Sequence, residues 1–326
     1  MARRYVPGPF ADLSCKHETN MITACFNATT GDIENAPAID HLPAFGLRED
    51  ASGVYLETKD PQLIKGSRRK PNIKCAPSSP ESVVIIGGGS ATIGCVEGMR
   101  EEGFKGAITV ISSEGYLPID RTKLSKALIN DPKKVELRDQ EWYNSAGINT
   151  VTDEVNQVDF LTKKVLTKSG REFPYTKLVI ATGGTPRNLP LEGFKELGNI
   201  FQLRTIHNVK DIVSAIGEKG KKIVIIGSAF IGVEVANATG KDNQVTVVGM
   251  EKVPLERVMG EKVGAVFQKQ LEENGVKFKM SAGVEKAIPS DKDPKKVGAV
   301  MLKDGTRLEA DLVILGVGVA PATAFL

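Results

Sequence analysis

Two runs of β-branched residues each break into a glycine-rich loop: Ser82-Val-Val-Ile-Ile-Gly-Gly-Gly-Ser-Ala-Thr92 and Lys222-Ile-Val-Ile-Ile-Gly-Ser-Ala-Phe-Ile-Gly-Val-Glu234. Such a run reads as a buried parallel strand, and the small residues after it as a tight turn into a helix. That arrangement aims backbone N–H groups and the positive end of a helix at a pyrophosphate. One such loop constrains little. Two in one chain, with Ala181-Thr-Gly-Gly-Thr-Pro-Arg187 between them, imply two dinucleotides held face to face, so that a nicotinamide passes hydride to a flavin. The expected fold class is α/β, a two-dinucleotide-binding Rossmann-like fold.

Composition fits this and excludes rivals. At 326 residues there is room for two domains, and 41% hydrophobic with 25% charged residues is ordinary for a chain with a sizeable core. A net charge of +3 is too small to argue for nucleic acid as a partner. The four cysteines lack the density of a secreted disulfide framework, which points to a reducing compartment and a cytoplasmic setting. No apolar run reaches membrane-spanning length, and the opening Met1-Ala-Arg-Arg-Tyr has no apolar segment of the kind a signal peptide carries.

Residues 1–62 read as short, turn-rich and β-rich, with Asn27-Ala-Thr-Thr-Gly-Asp32 as a turn and Gly53-Val-Tyr-Leu-Glu57 as an alternating strand. Residues 63–80 hold Lys65-Gly-Ser-Arg-Arg-Lys-Pro-Asn72 and Ala76-Pro-Ser-Ser-Pro80, a solvated linker by composition. From Val83 the pattern becomes strand, helix (Ala91 to Glu102), strand (Ala107 to Ile111). Residues 148–180 are expected to be antiparallel, with a hairpin at Lys163 to Arg171. A second strand–helix–strand unit runs from Lys222 through Gln244-Val-Thr-Val-Val248, followed by a helix near Glu261 to Asn274. A hairpin at Lys303-Asp-Gly-Thr306 leads to a last strand, Asp311-Leu-Val-Ile-Leu315.

In the first loop Gly87 makes the turn and Gly89 lets the backbone approach phosphate, but Thr92 stands at the third position, where a β-branched side chain should push the helix away from the strand. Glu114, past the second strand, is placed either to accept both ribose hydroxyls or to sit as a solvated loop acid. In the second loop Gly227 and Gly232 hold the outer positions and Ala229 replaces the middle glycine. Glu234 opens the following helix, where a carboxylate is stabilised by about 0.3–1 kcal/mol. The acid expected at the end of the next strand is missing: that place is Gly249, and the nearest carboxylate is Glu251. Weak discrimination between NADH and NADPH is therefore expected.

Leu117-Pro-Ile-Asp-Arg-Thr-Lys-Leu-Ser-Lys126 resembles the block by which ferredoxin-reductase-like and apoptosis-inducing-factor-like flavoproteins hold FAD. From Val83 to Leu326 the chain is similar to the apoptosis-inducing-factor branch of the FAD-dependent pyridine nucleotide-disulfide oxidoreductases that carries an N-terminal Rieske domain. The resemblance implies that Arg121 contacts phosphate or the ribityl chain, that Lys126 approaches the flavin, and that Glu234 faces the flavin and pairs with Lys126. Lys126 and Glu234 are the catalytic candidates. It also implies cofactor contacts from Ser90, Ala91, Val155, Thr182, Gly183, Arg187, Phe230, Ile231 and Gly316. The implied modules are an FAD domain at 81–195 with 316–326, and an NAD(P)-binding domain at 196–315.

Ala24-Cys-Phe-Asn-Ala-Thr-Thr-Gly-Asp32 and Leu42-Pro-Ala-Phe45 match the end of a Rieske domain. Such a 2Fe-2S cluster needs a Cys-x-His pair and a later Cys-x-x-His pair. Cys15 and His17 can stand for the first, but Glu18-Thr-Asn-Met-Ile-Thr23 holds neither ligand type where the second belongs. Cys15, His17 and Cys25 then read as remnants, with no metal held. After Gly316-Val-Gly-Val-Ala-Pro-Ala-Thr323 the family's Gly-Asp motif and interface domain do not follow, so the chain reads as truncated at both ends. The disulfide reductases of this fold place a Cys-x4-Cys pair after the first helix and strand; Cys95 is single, inside the helix, and expected to be a buried small hydrophobe. The implied activity is NAD(P)H oxidation through FAD to an iron-sulfur or quinone-like acceptor. The alternative is an inert nucleotide-binding fragment with a regulatory or interaction role.

Overall fold

The structure, a computed structural model, describes residues 26, 27, 30–34, 40–42, 44–57 and 71–326. The Rieske-remnant residues Cys15, His17 and Cys25 lie outside the described residues. The chain divides into two compact units, Met1–Ile73 and Lys74–Leu326.

In the first unit, β1 (Gly46–Asp50) and β2 (Gly53–Glu57) form an antiparallel hairpin in which Gly46 faces Glu57. The expected strand at 53–57 is thus present. The turn before it closes by a bridge between Phe26 and Ile33, with the Gly31 N–H donating to Asn27 O. His41 Nδ1 accepts from the Ile33 N–H at 3.1 Å, fastening the chain that follows the turn.

The second unit is built from two parallel sheets. In the first, β3 (Ser82–Ile86) leads through a glycine loop into α1 (Ser90–Glu101) and returns as β4 (Ala107–Ser112). Two short helices, α2 (Thr122–Ala127) and α3 (Gln140–Ser145), precede β5 (Ile148–Thr152). An antiparallel three-stranded sheet follows: β6 (Val155–Asp159), β7 (Lys164–Thr167) and β8 (Glu172–Pro174). The chain then re-enters the parallel sheet as β9 (Lys177–Ile180), giving the order β5-β4-β3-β9. β3 is central and Val83 to Ile86 are all buried, which is why its sequence is apolar on both faces.

The second parallel sheet repeats the plan. After β10 (Gly184–Pro186) come β11 (Ile200–Gln202), α4 (Ile206–Ile216), β12 (Lys222–Ile226), α5 (Phe230–Gly240), β13 (Gln244–Val248), α6 (Glu256–Glu273) and β14 (Lys277–Lys279). The antiparallel strands β15 (Val284–Pro289), β16 (Val297–Leu302) and β17 (Arg307–Glu309) lead to β18 (Leu312–Leu315). The order is β11-β18-β12-β13-β14, all pairs parallel. The main core joins the two halves: Ile119, Leu124 and Val135 pack in one cluster with Ile206, Ile225 and Val235.

Three expectations need correction. β5 pairs parallel with β4, Ile148 beside Ile108, so only 155–174 of the 148–180 stretch is antiparallel. α6 begins at Glu256, ahead of the expected Glu261, and bends where Gly260 takes φ 79° and ψ 166°. β18 is not last: β19 (Val319–Pro321) pairs antiparallel with β10.

Candidate functional site

The first glycine loop is forced into shape by its neighbour strand. A Cβ on Gly87 (φ +120°) would lie 2.2 Å from the Ala181 carbonyl oxygen, just past β9, so only glycine fits. Gly89 stands before α1 with extended backbone, and nothing lies within 4 Å of where its Cβ would be. α1 has no side-chain cap and no acid in its first turn, leaving its leading N–H groups available to an anion. Thr92 is fully buried, and its Oγ1 donates to Gly87 O at 2.7 Å. The β-branched residue is therefore tied to the glycine loop at the end of the strand by a hydrogen bond.

Next to this loop is a cavity of about 770 Å³ lined by Gly87, Gly89, Ser90, Ala91, Glu114, Arg121, Val155, Thr182, Gly183 and Arg204. Arg121 Nη2 donates to Glu114 Oε1 at 2.6 Å and its Nη1 to Arg204 O at 2.9 Å. Glu114 Oε2 is buried and makes no hydrogen bond. The Tyr116 hydroxyl accepts from the Ile206 N–H at 3.2 Å. Burial first, and then the adjacent Glu114 carboxylate, push its pKa up to about 12. Arg204 was not singled out from sequence. Burial, followed by repulsion from Arg121, lowers its pKa, so two guanidinium groups converge on the cavity wall. Its only sequence signal is a cation just before the capped start of α4. Arg187 is exposed, off this wall, with its N–H donating to Gly318 O.

The second loop follows the same plan more tightly. A Cβ on Gly227 (φ +112°) would lie 2.3 Å from Gly316 O, and one on Gly232 would lie 2.0 Å from Gly227 O. Gly316 thus backs the second loop and is not on the first cavity's wall. Ala229 precedes α5, which likewise lacks a side-chain cap and an acid in its first turn. Glu251 Oε2 accepts from Ser228 Oγ at 3.0 Å, and Arg257 Nε lies 2.6 Å from Glu251 Oε1.

Between the loops, Lys126 Nζ lies 2.9 Å from Glu234 Oε1. Ser125 Oγ donates to Glu234 Oε2. Glu234 is the fifth residue of α5, a full turn inside it, so the helix-start role does not hold: that stabilisation fades beyond the first turn. Lys126, Glu234, Ser125, Phe230 and Ile231 line a smaller cavity of about 270 Å³, and Arg121 and Arg204 line both cavities.

Cys95 is half-buried where full burial was expected; burial still raises its thiol pKa. Among the described residues no group of three His, Cys, Asp or Glu side chains could hold a metal ion. No described helix is long and apolar enough to cross a membrane.

Residues 81–326 match the family described as pyridine nucleotide-disulphide oxidoreductase. The chain belongs to this family. It is 37% identical to apoptosis-inducing factor 3 of Homo sapiens over 310 residues, covering 93% of this chain and 50% of that protein. Rubredoxin-NAD(+) reductase of Pseudomonas putida is 31% identical over 246 residues, covering 74% of this chain and 62% of that protein. The covalent putidaredoxin reductase–putidaredoxin complex superposes with a TM-score of 0.70 at 31% identity, covering 75% of this chain and 60% of that one. A ferredoxin reductase for the CYP199A2 system from Rhodopseudomonas palustris gives 0.69 at 29%, covering 74% and 60%. The chain spans about half the length of the apoptosis-inducing factor 3 relatives it matches. The two reductase structures share its α/β fold.

Proposed function

We propose that this chain takes hydride from NAD(P)H onto FAD and passes the electrons to a one-electron carrier of the iron-sulfur class or to a quinone-like acceptor. The observation that carries the reading is the Lys126–Glu234 contact at 2.9 Å between the two glycine-loop halves, beside two cavities that share Arg121 and Arg204. The rubredoxin and ferredoxin reductases among its relatives support the acceptor class. The modules are 81–195 with 316–326 for FAD and 196–315 for the nicotinamide coenzyme, in a reducing, cytoplasmic setting.

The residues fit FAD. The open approach at Gly89 and the uncapped start of α1 would hold its pyrophosphate, and the orphaned Glu114 Oε2 would accept from a ribose hydroxyl. Arg121 and Arg204 would balance phosphate charge. Once bound, the flavin accepts two electrons together and releases them singly. Lys126 and Glu234 would contact the bound cofactors from the smaller cavity, with Ser125 fixing the Glu234 carboxylate, and the start of α5 would hold the coenzyme pyrophosphate. Residues 1–62 we read as a degenerate Rieske-like segment that holds no iron, because Cys15 and His17 supply half of a four-ligand set.

The test is a visible spectrum of the chain purified with FAD. Flavin bands that bleach anaerobically on adding NADH or NADPH are expected. A colourless chain that takes up no FAD overturns the reading and leaves an inert nucleotide-binding fragment.

A further inference from the structure

We infer that Glu251 selects the coenzyme, accepting the 2′- and 3′-hydroxyls of the adenosine ribose and turning away a 2′-phosphate, so that NADH is preferred to NADPH. The inference rests on the proposed nicotinamide site at the second glycine loop. In a site of this type a carboxylate at the end of the second strand holds the ribose. Here β13 ends at Val248 and the next residue is Gly249. Its side chain is not simply missing but excluded. A Cβ there would lie 2.5 Å from Ser228 Oγ and 2.7 Å from Met280 Cε.

The residue that crowds position 249, whose Cβ would lie 2.8 Å from a Cβ there, also holds the carboxylate of residue 251. Ser228 is buried in the glycine loop between Gly227 and Ala229, and its Oγ donates to Glu251 Oε2 at 3.0 Å. The carboxylate is thereby brought back to the loop that the strand-end acid would serve. The Glu251 carbonyl is held from one side, and the turn that follows is tied to the glycine loop. The Ser281 N–H donates to Glu251 O at 2.8 Å, and the Leu255 N–H donates to Ser228 O at 2.9 Å. Between these anchors the Lys252 N–H donates to Glu256 Oε2 at 2.7 Å, closing the turn.

Capacity and charge both suit two ribose hydroxyls. An ionised carboxylate offers about four lone-pair sites, of which Ser228 and Arg257 occupy two. Two remain. Arg257 is 71% exposed, so water screens its charge and Glu251 still presents a negative field to an incoming group. A 2′-phosphate brings close to two negative charges of its own. Arg257 is the one cation in contact with Glu251 among the described residues, and a phosphate could bind here only by drawing it off the carboxylate.

The experiment is calorimetric titration of the full chain with ADP-ribose and with 2′-phospho-ADP-ribose, which reads binding without any turnover. The wild-type chain is expected to bind ADP-ribose at least about tenfold more tightly, roughly 1.4 kcal/mol. Glu251→Gln keeps an oxygen for the Ser228 hydroxyl and removes the charge, and should bring the two affinities within about threefold. Ser228→Ala frees the carboxylate and should lower the preference without removing it, providing a second variant should the first fail to fold. Equal affinities in the wild type, a preference for the phosphorylated ligand, or a preference unchanged by Glu251→Gln would each overturn the inference alone. Binding of neither nucleotide would overturn the nicotinamide-site reading and this inference together.

Discussion

The Thr92 hydroxyl donates to the Gly87 carbonyl at 2.7 Å, and in the second loop the corresponding approach is made by Gly232, where a Cβ would lie 2.0 Å from Gly227 O. One turn is closed by a hydrogen bond, the other by the absence of a side chain. Thr92→Val keeps the shape but leaves a half-buried carbonyl without this donor, a cost of about 1 kcal/mol. Gly232→Ala forces a methyl into backbone and should cost about 3 kcal/mol and abolish coenzyme binding. Urea unfolding and nucleotide titration of both variants check this; a neutral Thr92→Val would show that the hydroxyl contributes nothing.

Lys126 and Glu234 are partly exposed, at 35% and 22%, so their pair lies between the weak surface case and the costly buried one. Removing either partner alone should weaken FAD retention and flavin reduction more than NADH binding. Lys126→Met with Glu234→Gln should lose less than the sum of the singles, by about 1–2 kcal/mol, because neither charge is stranded. Additive losses would return both residues to a solvated surface role.

Arg100 on α1 donates to four carbonyls: Ala146 at 2.8 Å, Phe104 at 2.7 Å, and Gly106 and Gly147 at 3.0 Å each. The planar fork is what reaches all four. Arg100→Met should destabilise by about 3 kcal/mol or more. Arg100→Lys should recover little, since an ammonium cannot span the same acceptors. Full recovery by lysine in a denaturation series would mean that only the charge matters.

Alkaline stability should report on Tyr116. Its pKa is raised from 10.0 to about 12, so below pH 10 both folded and unfolded states keep the proton and its contribution is complete. Between pH 10 and about 12 the unfolded state loses the proton first, and stability falls as pH rises through the folded value. Tyr116→Phe should flatten the drop in melting temperature over that interval. Tyr143 is also pushed up by burial, and its hydroxyl is buried without a partner. Tyr143→Phe should therefore be neutral or stabilising.

The glycine loops were legible because a strand buried on both faces has no choice but to be apolar, and a loop pressed on backbone has no choice but to be glycine. Val83 to Ile86 and Ile223 to Ile226 obey the first rule, Gly87 and Gly227 the second. The direction of β5 was not legible. It lies at the edge of its sheet, so Ile148-Asn-Thr-Val-Thr152 mixes polar with apolar residues as a hairpin strand would. The place of Glu234 within α5 was missed because Ala229, not a polar cap, precedes the helix. Arg204 was missed because a cation is recognisable as a cavity wall only once Arg121 has been folded against it.

Gly87 is pressed on Ala181 O and Gly227 on Gly316 O, each just past a strand that enters its sheet late in the sequence. Each loop therefore meets residues synthesised long after it, as well as the next strand, to which Gly87 and Gly227 donate at Ile111 O and Val248 O. The second loop gains its last backbone neighbour only when Leu312–Leu315 inserts between β11 and β12, although the Gly227 N–H already finds Val248 O once β13 is in place. Closure across that sequence distance is slow compared with forming α5 locally. Competence to bind the nucleotide should arrive abruptly, with the final parallel strand, and not in proportion to the length of chain already made.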